Sequence, residues 1–372
     1  MRLPEREILA LHRAIVGIPS VSGNEAELAG FLEEKLRQRG VTPIRVGESL
    51  LALHGEGPVL LLDTHLDTVP PSPGWSRDPW DVSVADGRVT GLGSNDAKAS
   101  VAAMTAAFLA FSQLDLPFTL ALALVEGEET KGVGTEAVLS ELKRRGLEIE
   151  AAVIGEPTGL DVAVAQKGLM VLELIARGDA CHAANAQALG ARNAARLLAR
   201  DLVALEEIDF GPAHPHLGPI TLEPTQVKAG TARNVVPGEA TALLDLRSTP
   251  ALSAAETLRR VRERVQGEIR VLSDRLVPRE TPRDALIVQA ACQVRPEARV
   301  FGSPTLSDMV FVGAPAIKCG PGLSERSHTP DEFVLEEEVL DGARFYTRLI
   351  GMYSEIRAEQ RVGSATEAME VR

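Results

Sequence analysis

Three apolar runs, residues 58–64, 118–125 and 150–154, each stop at groups able to hold a cation. Thr64-His65-Leu66-Asp67 follows the first, Glu126-Gly127-Glu128-Glu129 the second and Gly155-Glu156-Pro157 the third. The turn Gly93-Ser94-Asn95-Asp96 adds a carboxylate, and Ser327-His328 adds an imidazole beyond the Gly/Pro-rich segment Cys319-Gly320-Pro321-Gly322. Gathered in one crevice, that many carboxylates would raise one another's pKa unless cations neutralised them. The ligands would be oxygen and imidazole, because Cys181, Cys292 and Cys319 form no CxxC pair. His65 and Asp67 stand two apart in an extended segment, so both side chains share a face and Asp67 can fix the imidazole tautomer. Each signal has an ordinary alternative: an HxD pair inside a strand, a solvated acidic turn, an exposed loop histidine. Their common place after buried runs favours chemistry. His12, His54, His214 and His216 lack such a context and read as surface residues.

A short continuous apolar run is the mark of a strand buried on both faces. Helical spacing over 22–39, closed by Gly40, and an alanine-rich stretch over 99–111 alternate with these strands, which predicts an α/β fold with a mostly parallel sheet. Such sheets gather function at the carboxyl ends of their strands, where all three clusters fall. Beyond Lys167 the pattern changes to strand 168–176, helix 191–205, strands 220–227 and 240–246, helix 254–265 and strand 269–272. This βαββαβ order predicts an inserted ferredoxin-like domain over 167–277, with 1–166 and 278–372 forming the metal-binding domain. Helical patterns return over 284–294 and 335–352 around a short strand at 316–319, and residues 357–372 read as a frayed polar tail.

A formal charge of −13 over 372 residues disfavours nucleic acid and anionic membrane surfaces as partners. No stretch approaches the roughly 20 apolar residues that cross a bilayer, and the first residues carry no apolar signal core, so a cytoplasmic protein is expected.

Five ordered segments carry a resemblance: His65-Leu-Asp67-Thr-Val-Pro70, Gly91-Leu-Gly-Ser-Asn-Asp96-Ala-Lys98, Glu126-Gly-Glu-Glu129, Gly155-Glu156-Pro-Thr158, and Gly320-Pro-Gly322 with Ser327-His328-Thr-Pro-Asp-Glu332. Their order and spacing resemble the M20 metallopeptidase family, which includes acetylornithine deacetylase, succinyl-diaminopimelate desuccinylase, aminoacylase-1 and carboxypeptidase G. Within it the sequence is most similar to the acetylornithine and acetylcitrulline deacetylase branch, through residues 65–75 and 307–333. It departs at Asp96-Ala97-Lys98-Ala99-Ser100, where the usual form has Met after the Asp and Gly-Gly after the Lys.

The resemblance implies a zinc-peptidase-like domain with two divalent ions, zinc first and cobalt or manganese as alternatives. His65 and Glu156 would bind one ion, Glu129 and His328 the other, and Asp96 would bridge them. Asp67 would orient His65, and Glu128 would act as general base. In the inserted domain, Cys181-His182-Ala-Ala resembles a lid-histidine segment, and Gly230 to Pro237, with Asn234, together with Asp245-Leu-Arg247 resembles a substrate-binding segment. Gly320 and Gly322 are implied on the substrate side too. The family's inserted domain makes a homodimer, so His182 would serve the partner's site, unless it merely caps a turn; Asn234 has the same turn alternative. The implied activity is removal of acetyl from N2-acetylornithine. Acetylcitrulline, succinyl-diaminopimelate or another N-acyl amino acid are alternatives, as is a non-catalytic, metal-stabilised binding protein.

Overall fold

In this computed structural model the described backbone runs from residue 3 to 370. The chain folds as two compact units: one up to Val164 with Thr281–Phe301 and the segment from Ser307 on, the other Ala165–Glu280 with Gly302–Leu306.

The first unit begins with amphipathic helices α1 (Glu5–Val16) and α2 (Ala26–Arg37), which bury Ile8, His12 and Ile15, and Leu28, Leu32 and Leu36. Gly40, at φ 78°, takes the left-handed conformation beyond α2 that a side chain would strain. Strands β1 (Ile44–Val46), β2 (Ser49–His54) and β3 (Val59–His65) follow, then a small pair, β4 (Ser83–Ala85) and β5 (Arg88–Thr90). Next come α3 (Lys98–Phe111), β6 (Thr119–Val125), α4 (Val133–Arg144), β7 (Ile149–Ile154) and β8 (Val162–Gln166).

The second unit holds β9 (Gly168–Arg177), the two-residue β10 (Cys181–His182), α5 (Ala194–Leu205), β11 (Thr221–Ala229), β12 (Val235–Val236), β13 (Glu239–Ser248), α6 (Ala254–Arg264) and β14 (Glu268–Leu276). Its main sheet has the antiparallel order β11-β13-β9-β14, the ferredoxin-like arrangement. Strand β13 alternates buried Ala240, Ala242, Leu244 and Leu246 with half-buried residues, so one face of the sheet is covered, and Leu198 of α5 and Val261 of α6 join that core.

After short strands β15 (Arg279–Glu280) and β16 (Val300–Ser303), which flank α7 (Leu286–Val294), the first unit closes with β17 (Ala316–Lys318), β18 (Phe333–Leu335) and α8 (Glu336–Glu370). The polar end of the chain is therefore helical through Glu370, against the expectation of a frayed tail; residues 371 and 372 lie outside the described residues. Arg357 anchors this segment: it is buried, donates to the Glu150 carboxylate at 2.5 Å and gives a second hydrogen bond to the Pro117 carbonyl.

The large sheet runs β1-β2-β6-β3-β7-β17-β8, with β6, β3, β7 and β17 mutually parallel. All seven residues of β3 and of β6 are buried. Alternate side chains serve two cores: Leu60, Leu62, Leu120 and Leu122 on one face, Leu61, Ala121 and Ala123 on the other. Helix α3 has almost no polar face, and it packs on the sheet and against α1 and α8, so it is enclosed.

Candidate metal centre

His65 is the last residue of β3, in register with Val125 at the end of β6, while Asp63 pairs with Ile154 at the end of β7. The parallel register thus delivers His65, the Glu128-Glu129 turn and Glu156 to one end of the sheet. His65 is 2% exposed; its Nε2 lies 3.2 Å from Asp96 Oδ1 and 3.8 Å from Glu156 Oε1. The other Asp96 oxygen, Oδ2, lies 3.8 Å from His328 Nε2, which sits 2.8 Å from Glu129 Oε1. Asp96 therefore turns one oxygen to each imidazole. Ligand atoms of His65, Asp96 and Glu156 fall within 4.8 Å of one another, as do those of Asp96, Glu129 and His328, and those of His65, Glu128 and Glu129.

Burial opposes a charge on His65, but hydrogen bonds to Asp67 and Asp96 and the negative charge of Glu128 raise its pKa well above the usual value. The Glu129 contact first, and then nearby charge, raises His328 to about 9. Burial, reinforced by neighbouring carboxylates, pushes Glu128 well up and Glu156 to about 7. Carboxylates and imidazoles without sulfur suit zinc, cobalt or manganese, and the two groups sharing Asp96 offer room for two such ions.

The Asp67 contact takes a particular form. His65 Nδ1 is 2.9 Å from the backbone carbonyl of Asp67 and 3.5 Å from its carboxylate Oδ1. The carboxylate accepts the backbone N–H groups of Glu128 and Glu129, each at 3.1 Å, and the Ser22 hydroxyl at 2.6 Å. Asp67 thus holds the imidazole chiefly through its backbone carbonyl and, through its carboxylate, the turn that bears the two glutamates. Glu126 is directed elsewhere, accepting from the Glu48 N–H at 3.0 Å.

The turn at 93–96 is held by groups whose type and spacing did not mark them out. Glu332, 2% exposed, accepts the N–H groups of Gly93, Asn95 and Asp96 at 3.0, 2.9 and 2.9 Å. Asn95 Nδ2 donates to the Leu323 carbonyl, and its Oδ1 accepts the Leu323 N–H. His12 Nε2 donates to the Ser94 carbonyl at 2.8 Å. His12 is fully buried and His214 is 6% exposed, which corrects their reading as surface residues; the lack of a strand-end context had placed them outside. Lys98, also fully buried, donates to the Ile18 carbonyl at 2.9 Å, and burial lowers its pKa to about 7. Asn95, Lys98 and Glu332 do fall inside the segments that carry the family resemblance, which was the available signal for them.

Gly320 and Gly322 are buried in packing. A Cβ at Gly320 would meet the Glu156 carbonyl at 2.6 Å, and one at Gly322 would meet Asn95 Oδ1 at 2.3 Å, so only glycine lets this loop approach the ligand-bearing segments.

In the second unit His182 is exposed, with Nδ1 accepting the Ala184 N–H at 3.2 Å as the cap of a short 3₁₀ turn. Asn234 lies in an exposed turn, its carbonyl accepting the Ala183 N–H. Arg247 is held in a fork by Asp245, at 2.7 and 3.1 Å.

Residues 61–352 match the model of peptidase family M20/M25/M40. The chain belongs to this family. A peptidase M20 domain-containing protein of Schizosaccharomyces pombe is 28% identical, over 93% of this chain and 84% of its own length. A succinyl-diaminopimelate desuccinylase of Bordetella pertussis is 32% identical, over 69% of this chain and 71% of its own. Among solved structures, an aminopeptidase PepT of Bacillus cereus has a TM-score of 0.77 at 20% identity and covers 94% of this chain and 99% of its own. A Bacillus subtilis protein described as a dinuclear metal-binding peptidase of the M20 family has 0.73 at 17% and covers 94% and 98%. The α/β fold with its large, mostly parallel sheet is shared with both.

Proposed function

We propose that this M20 family member hydrolyses the amide bond of an N-acyl amino acid with the help of two divalent cations. The observation that carries the proposal is Asp96, which divides its two oxygens between the His65–Glu156 and Glu129–His328 groups while Glu128 stands beside both. Zinc is the first candidate for the two sites. Such ions would supply Lewis acidity toward the amide carbonyl and the attacking water. Glu128 is placed to act as a general base: it stands beside His65 and Glu129 and its backbone is fixed by Asp67, so it would take the proton of the attacking water and pass it to the departing amine nitrogen. A binding protein has no need of that group.

Motif resemblance favours N2-acetylornithine as substrate, and the 32% identity to a desuccinylase favours succinyl-diaminopimelate as the second reading. Both are N-acylated amines carrying a carboxylate, a group that Arg247 would pair with on leaving Asp245. A homodimer through the second unit is part of the proposal, because β11 is an edge strand of the main sheet there and most of its residues are exposed. Purified, metal-loaded protein assayed for acetate and succinate release across N-acyl amino acids, with and without chelator, tests the activity. Absence of chelator-sensitive release from every substrate would favour the binding protein.

A further inference from the structure

Lys318 ends β17 in register with Ile154 of the parallel neighbour β7, two residues before Glu156. Its side chain is 5% exposed, and Nζ lies 3.5 Å from Glu156 Oε2. The other oxygen, Oε1, faces His65 Nε2 at 3.8 Å. The two oxygens of one prospective ligand are thus divided between an imidazole and an ammonium.

We infer that Lys318 is a positioning residue that makes Glu156 a one-oxygen ligand and renders cation binding weaker at the His65–Glu156 half than at the Glu129–His328 half. The inference rests on the two-ion proposal above. An ammonium beside Oε2 competes with any cation for that oxygen, which disfavours a two-oxygen clamp. It is also a compact point charge in a buried setting, so it repels a divalent ion nearby more than it would in water. The opposite half differs: the His328 side chain is 51% exposed, and solvent screens charge there. The halves should therefore fill in sequence as the free cation concentration rises.

The test is a titration of the metal-stripped full chain with Zn²⁺ or Co²⁺, followed by calorimetry and, for Co²⁺, by its absorption bands. The wild type should show two binding steps at least about tenfold apart, and Glu156→Ala should abolish the weaker one. Lys318→Met should tighten the weaker step by about tenfold or more and leave the tighter step in place, whereas Lys318→Arg should preserve the gap. Lys318→Gln keeps a donor but no charge; it carries the same expectation as the Met variant and replaces it should that one fail to fold. Unchanged constants in the neutral variants, loss of the weaker ion from them, or loss of the tighter step in Glu156→Ala would each overturn the role of Lys318. A wild type that takes up no ion would instead refute the two-ion proposal.

Discussion

The carboxylate of Asp67 receives the backbone N–H groups of Glu128 and Glu129 at the same distance, 3.1 Å, one on each oxygen. An amide in its place keeps one accepting oxygen and turns a donor toward the other N–H. Asp67→Asn should therefore lower kcat by about 10–100-fold at saturating metal. Steady-state assays set beside metal titrations check this; unchanged kcat would mean that the turn holds itself.

Glu128→Gln preserves the shape of the side chain and removes the base. Turnover should fall by about 10²–10⁴-fold, with bound metal unchanged by elemental analysis. Glu126, committed to the Glu48 N–H, is poorly placed to substitute.

Burial lowers the pKa of His12 from its ordinary 6.5 to about 4. The unfolded chain thus binds a proton that the folded chain refuses, and stability from this group, complete above pH 6.5, is lost as pH falls toward 4. A shift of that size corresponds to about 3 kcal/mol. His12→Gln should flatten the pH dependence of Tm across this window, which thermal unfolding at about pH 4.5, 5.5 and 7 measures. An equally steep profile in the variant would place the acid sensitivity elsewhere.

Asp308 carries the opposite sign. Burial raises its carboxyl from 3.8 to about 6, and its charge also raises buried Asp63. The folded state favours the protonated form, so the contribution is present below pH 3.8 and disappears as pH rises through about 6. At about pH 8 the ionised group opposes folding, and Asp308→Asn should stabilise the chain by up to about 3 kcal/mol. Chemical denaturation at about pH 8 and pH 5 should show the gain shrinking at the lower pH.

The ligand-bearing clusters were legible because apolar runs announce buried parallel strands, and each run ended in a group costly to bury without purpose. The βαββαβ order was legible from periodicity in the same way. Buried charges were not. Lys318, Glu332, Lys98 and His12 are polar by type, and a single sequence places such residues at the surface; their interior positions follow from register and loop packing, which span residues far apart in the chain. The detail at Asp67 was hidden too: spacing put its side chain beside His65, but its backbone carbonyl meets Nδ1 because of the path of the chain after β3, while the turn after β6 claims the carboxylate.

Helix α3 buries Ala99, Ala102, Ala103, Ala106 and Ala107, each 4% exposed or less, against neighbours on every side. Methyl-sized groups are what that space admits, so enlarging any of them should be as damaging as losing a ligand although none touches the site. In a saturation mutagenesis screen this helix would stand out as a second zone of intolerance, separate from the ligand-bearing segments.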